Sequence, residues 1–213
     1  MTCTFEMKPR VAVAVLAAAL LSVGCAMMEP KAERYVPPPL GSTFTTAQRN
    51  TGSFGSGDVQ VQSRRGERTW EGKQLLTFES SQGTTLMNPE GAFVAGLTPG
   101  GQVAMRWDPP QGFDFPLEVG KTWSRSTRMI DAKDKSIPYT TTCKVLSHED
   151  VKVPAGTFKA FKVNCTGTLG GEDTYWFSPD LGIFAKQSSK RSATHPFGAG
   201  TREAELVSQN IRK

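Results

Sequence analysis

The chain is expected to be all-β, an antiparallel meander of about ten strands curled into a half-barrel or barrel. Three observations point there. Short runs of alternating apolar and polar residues recur from Asp58 onward, and Pro/Gly turn signals such as Pro89-Glu90-Gly91, Thr98-Pro99-Gly100-Gly101 and Pro179-Asp180-Leu181-Gly182 separate them. An amphipathic helix is hard to place after the first two dozen residues. At 213 residues the chain suits one domain with a buried core.

The amino-terminal region reads as an export signal. Lys8 and Arg10 precede an uncharged run, 11–23, that is shorter than the ~20 residues a spanning helix needs. It ends Leu21-Ser22-Val23-Gly24-Cys25, which resembles a bacterial lipobox, with the leucine one place further from the cysteine than is usual. The resemblance implies cleavage before Cys25, lipidation of its sulfur and acylation of the new amino terminus. Ala26 after the cysteine then implies sorting to the outer membrane, facing the periplasm. The expected division is a signal peptide over 1–24, an acylated cysteine with a Pro/Gly/Ser-rich tether over 25–57, and a single β-domain over 58–213. An extended tether containing Pro37-Pro38-Pro39 could hold the domain roughly 40 Å from the membrane. Without residues 1–24, 23 basic and 19 acidic side chains remain, a mild excess of +4 that reads as solvated surface charge, Arg191 included. No clustered basic helix supports nucleic-acid binding.

Strands are expected around Val59 and Val61, over 69–80, 84–88, 92–97 and 103–107, then as a pair after Leu117, over 139–147, and at 201–211. The most patterned stretch is 151–189. VKVPAGTFKAFKVNC turns on Pro154-Ala155-Gly156, and TYWFSPDLGIFAKQ turns on Pro179-Asp180-Leu181-Gly182. If Val153 faces Thr157, Cys143 falls opposite Gly167. A two-residue bulge near Glu149-Asp150 would then bring Cys143 opposite Cys165. Alternation alone puts Cys143, Val145, Val151 and Val153 on one face with Phe161, Val163 and Cys165. In an oxidising envelope the Cys143–Cys165 pair is expected to be a disulfide.

No catalytic motif emerges, and no cofactor is expected. His148, Glu149 and Asp150 are the only candidates for an envelope hydrolase, but neighbours on a strand cannot all point one way, and a four-ligand zinc set is missing. Trp70, Trp107, Trp123 and Trp176, with Tyr175, could line a ligand cavity or pack as core.

Three motifs in series carry a further resemblance: Pro116-Leu117-Glu118-Val119-Gly120-Lys121-Thr122-Trp123, then Val153-Pro154-Ala155-Gly156-Thr157-Phe158, then Tyr175-Trp176-Phe177-Ser178-Pro179-Asp180-Leu181-Gly182. Over roughly 70–190 the chain resembles the DUF3108-type exported β-proteins of bacteria, with Phe177 where tyrosine is frequent. The resemblance implies a curved antiparallel sheet and transfers no catalytic residue. The functional expectation is a non-enzymatic envelope lipoprotein, anchored to the membrane by its lipid, whose domain binds a protein partner or a lipid-like ligand. A purely structural module is the alternative.

Overall fold

The computed structural model describes residues 29–211, so the signal peptide and Cys25 lie outside the described residues. The described backbone contains strands, turns and bends and no helix. The strands are β1 (Lys31–Ala32), β2 (Thr43–Gly52), β3 (Gly57–Trp70), β4 (Lys73–Ser80), β5 (Gly83–Met87), β6 (Phe93–Leu97), β7 (Val103–Gln111), β8 (Leu117–Glu118), β9 (Thr122–Asp131), β10 (Ser136–Val153), β11 (Gly156–Gly167), β12 (Gly171–Ser178), β13 (Ile183–Arg191) and β14 (Gly200–Asn210). Twelve of them form a closed antiparallel barrel in the order β10-β11-β12-β13-β14-β2-β3-β4-β5-β6-β7-β9, and β1 pairs with β8 apart from it. The expected meander is therefore present in its closed form. Closure leaves the twelve barrel strands without an open sheet edge.

Antiparallel neighbours send successive turns to opposite ends. Turns 53–56, 168–170 and 192–199 gather at one end, called here the far mouth. There the Ser53 amide donates to the Ala199 carbonyl at 2.8 Å and the Ser192 amide to the Gly170 carbonyl at 2.9 Å. The 112–121 connection and the 179–182 turn lie at the other, near end.

The segment expected to be a tether is largely part of the fold. Lys31 and Ala32 pair with Glu118 and Leu117, and β2 is a barrel strand between β14 and β3. Between them the chain crosses the near end as a strap. Tyr35 drops from it between Phe115 and Phe177, at ring-centroid distances of 6.3 and 6.1 Å, and its hydroxyl donates to the Gly182 carbonyl at 3.2 Å. The Gly41 amide then donates to the Arg65 carbonyl, and the Arg65 amide to the Ser42 carbonyl, both at 2.9 Å. Gly182, at a φ of 68°, lies so close beneath the strap that a Cβ there would sit 2.2 Å from the Val36 carbonyl oxygen. The domain thus begins by Lys31 rather than at Asp58.

The β10–β11 hairpin brings Cys143 directly opposite Cys165, as a disulfide requires, and the bond is formed. The two-residue offset is divided differently from the expectation. Val153 pairs with Gly156, so the turn holds only Pro154 and Ala155, and one residue, Leu146, bulges between Val145 and Ser147. A single-residue bulge reverses the face of everything beyond it. Cys143, Val145, Phe161, Val163 and Cys165 pack in one core cluster with Leu117, Trp123 and Phe177, whereas Val151, Val153 and Ala160 pack in another with Leu181, Ile183 and Leu206. The expectation of one shared face therefore fails at Leu146.

The near half of the barrel is filled by its own chain. Phe113, on the 112–121 connection, lies within 6.0 Å of the rings of Trp123, Tyr175 and Phe177, and Leu117 is fully buried. With Tyr35 and Phe115, these side chains occupy the space that an apolar ligand would need.

Candidate functional site

The four tryptophans do not converge on one cavity. Trp123 is a core residue, 9% exposed, packed beside the disulfide. Trp107 stacks against Tyr139 with ring centroids 5.1 Å apart. The Trp176 indole donates to Glu149 Oε1 at 2.8 Å, with the Lys162 and Lys186 ammonium groups 5.2 and 5.6 Å from its ring. Trp70 closes β3 at the rim of a depression of about 540 Å³ shared with Glu71, Val103, Arg106 and Asp131. The largest apolar payloads of the sequence are thus spent in four separate places.

The hydrolase candidates also separate. Glu149 accepts from the Ser147 hydroxyl at 2.6 Å and from Trp176, and these two bonds hold its carboxyl below the usual glutamate range. His148, on the opposite face of the strand by pairing, stacks on Phe161 at 4.6 Å. Asp150 pairs with Lys159 at 3.0 Å. All three side chains are engaged in different structural contacts, and no reacting atom could meet them together. Among the described residues no three His, Cys, Asp or Glu side chains are placed to hold a metal ion.

What the fold does assemble is a polar group at the far mouth. Strand pairing sets Asp173, Ser189, Arg202 and Asn50 side by side across β12, β13, β14 and β2, with Arg191 one row nearer the opening. Arg191 is flanked in its own row by Gly171 and Gly200, which have no side chain to cover it. The gap admits the β2–β3 turn, and Phe54 from that turn lies against both guanidinium groups, 3.9 Å from Arg191 and 4.9 Å from Arg202. Phe197 stands 5.2 Å from Arg191 on the other side. The Arg202 Nε donates to Asn50 Oδ1 at 2.8 Å and an Arg191 terminal nitrogen to Ser53 Oγ at 3.3 Å. Sequence reading counts Arg191 as surface charge and passes over Phe54 and Arg202, because nothing local links positions so far apart. The glycines at 52, 171 and 200 are the trace such a signal leaves.

Electrostatics inside this group are unbalanced. Desolvation lowers the pKa of Arg191, against the Asp173 charge, which raises it, and for Arg202 burial and then the neighbouring Arg191 charge both lower it. Burial also lowers His195, whose Nδ1 accepts from the Phe197 amide at 3.2 Å. Deeper in, burial raises the Asp173 carboxyl above its ordinary 3.8, against hydrogen bonds with Ser189 and Tyr175 and the Arg191 charge, which pull it down. A carboxyl with a raised folded value keeps its proton longer in the native chain than in the unfolded one. Stability therefore falls as pH rises from the ordinary value through the raised one, and stays lower above it. Asp173→Asn is expected to melt at a higher temperature than the wild type at pH 7, with the advantage shrinking as pH falls toward about 3.5. Thermal melts from pH 3 to 8 check this, and a gain independent of pH would remove the buried charge as its cause.

No family model matches the chain, so the resemblance of 70–190 to the DUF3108-type group gains no support from one, and no curated protein matches it. Three solved structures are similar in fold. A lipoprotein candidate from Parabacteroides distasonis ATCC 8503 is 11% identical, with 84% of this chain and 99% of that one covered and a TM-score of 0.43. The hypothetical lipoprotein YmcC from Escherichia coli K12 is 12% identical, with 78% and 83% covered and a TM-score of 0.46. An exported protein with a YmcC-like fold from Bacteroides fragilis NCTC 9343 is 13% identical, with 84% and 99% covered and a TM-score of 0.46. At these values the similarity assigns this chain no function.

Proposed function

We propose that this chain is a non-enzymatic lipoprotein of the outer membrane whose barrel is a periplasm-facing protein-interaction module. The observation that carries the choice of module over lipid carrier is the packed interior, where Tyr35, Phe113, Phe115 and Leu117 take up the apolar space. The lipobox-like Leu21-Ser22-Val23-Gly24-Cys25 supports the anchor. Because the fold already begins at Lys31, six residues after Cys25, an extended link reaches only about 20 Å. Such a short link would hold the near end against the leaflet and turn the far mouth outward.

The test uses the full chain expressed in its envelope. Cys25→Ser should abolish palmitate labelling and release the protein from the membrane fraction. A photo-crosslinking residue at Ser56, in the far-mouth turn, should capture a discrete protein, while one at Lys159, near the anchor, should not. Native mass spectrometry of the purified protein should show no lipid beyond the covalent acyl chains. A stoichiometric extractable lipid would reject the module in favour of a carrier.

A further inference from the structure

We infer that the far mouth is a binding site for a single anionic group, a carboxylate or a phosphoryl group, held between the guanidinium groups of Arg191 and Arg202. The inference deepens the proposed interaction module and rests on that reading for its biological setting. Its chemistry stands on the geometry alone.

Both arginines are half-buried, and among the described residues neither forms an ion pair with a carboxylate. Every other acid close by is turned away or set deeper. Glu172 accepts from the Asn164 side-chain amide at 3.1 Å, and Glu203 accepts from the Ser188 hydroxyl at 2.5 Å, both on the barrel's other face. Asp173 lies one strand-row below Arg191, opposite Ser189 in the strand register. Two like charges sharing a partly desolvated space repel each other, and the Asp173 charge one row deeper acts on Arg191 without forming an ion pair with it.

The arrangement is pre-organised rather than accidental. The Phe54 ring lies 3.9 and 4.9 Å from the two guanidinium carbons, and this shared contact holds both charged groups in one place. Each side-chain bond to Asn50 and Ser53 uses one donor of the five that a guanidinium carries, so the pair retains several for an incoming oxyanion. A planar, multidentate donor set of this kind suits carboxylate and phosphate oxygens. The β2–β3 turn already fills the space over Gly200, where a Cβ would lie 2.6 Å from the Thr51 carbonyl oxygen, which points to a terminal or pendant anionic group on a larger molecule, not to an enclosed metabolite.

The experiment uses the acylated full chain in uncharged detergent, in a cationic buffer at fixed ionic strength, titrated calorimetrically with sodium phosphate and with sodium acetate. Saturable one-to-one binding of either probe is expected. Tighter phosphate binding assigns the site to a phosphoryl group, and tighter acetate binding to a carboxylate. Arg191→Gln combined with Arg202→Gln should weaken it by about tenfold or more, whereas removal of two exposed charges elsewhere, by Lys144→Gln with Lys152→Gln, should leave it within about twofold. If the double arginine variant fails to fold, Arg202→Lys keeps the charge, loses the fork and should still weaken binding severalfold. No saturation by the wild type, or equal affinity in the arginine variants, overturns the site. That failure leaves the Cys25 and crosslinking results untouched, so the two readings fail separately.

Discussion

Tyr35→Ala is expected to lower the stability of the domain by about 3–5 kcal/mol, the cost of emptying a packed aromatic site that its surroundings cannot refill. Tyr35 descends from the strap onto Phe115 and Phe177, and Gly91 passes so near its ring that a Cβ there would lie 2.5 Å from it. Neighbours this close are backbone and ring, which cannot relax inward as a flexible side chain does. Tyr35→Phe separates packing from hydrogen bonding. It keeps the ring and gives up only the bond to the Gly182 carbonyl, so the loss should be about 1 kcal/mol. Urea titrations of the wild type and both variants measure the difference. If alanine costs no more than phenylalanine, the strap is an ornament on a barrel that stands without it.

The strap also shows where sequence reading stops. Most of the strands from β3 to β14 are legible because alternation and Pro/Gly turns are local signals, though the expected 69–80 strand runs across the turn between β3 and β4 and the two-residue β8 goes unread. Tyr35 carries no such signal, since its burial depends on Phe115 and Phe177, which the chain supplies far downstream. β2 is hidden for a second reason. Its interior positions, Phe44, Thr46, Gln48 and Asn50, become polar toward the far mouth, so the apolar alternation that marks a half-buried strand is missing. The polar lining that conceals the strand is the same lining that holds Arg202 through Asn50. A site made of polar side chains facing a barrel interior therefore erases the pattern by which its strands would be found. The bulge at Leu146 is concealed differently: one inserted residue leaves composition and turn signals unchanged while exchanging the faces of Val151 and Val153.

Replacing Cys143 and Cys165 together by alanine should cost about 3 kcal/mol, and on a domain of this size should lower the melting temperature by roughly 6–12 °C. The estimate comes from the unfolded chain. A crosslink spanning 22 residues removes conformations from the denatured ensemble, and its loss returns them. The native side adds a smaller cost, because both cysteines are buried beside Val145, Val163 and Trp123 and alanine leaves a gap where each sulfur lay. Comparing three samples separates these contributions: oxidised wild type, wild type reduced and alkylation-free, and the double variant. The reduced protein keeps the sulfur volume and loses only the crosslink, so it should melt well below the oxidised form and somewhat above the variant. The bridge joins directly paired residues in the middle of a continuous ladder, where hydrogen bonds and core packing already fix the register. Its removal should therefore leave the native far-ultraviolet dichroism unchanged while the midpoint shifts. A reduced protein as stable as the oxidised one would mean that the denatured chain already holds β10 and β11 together.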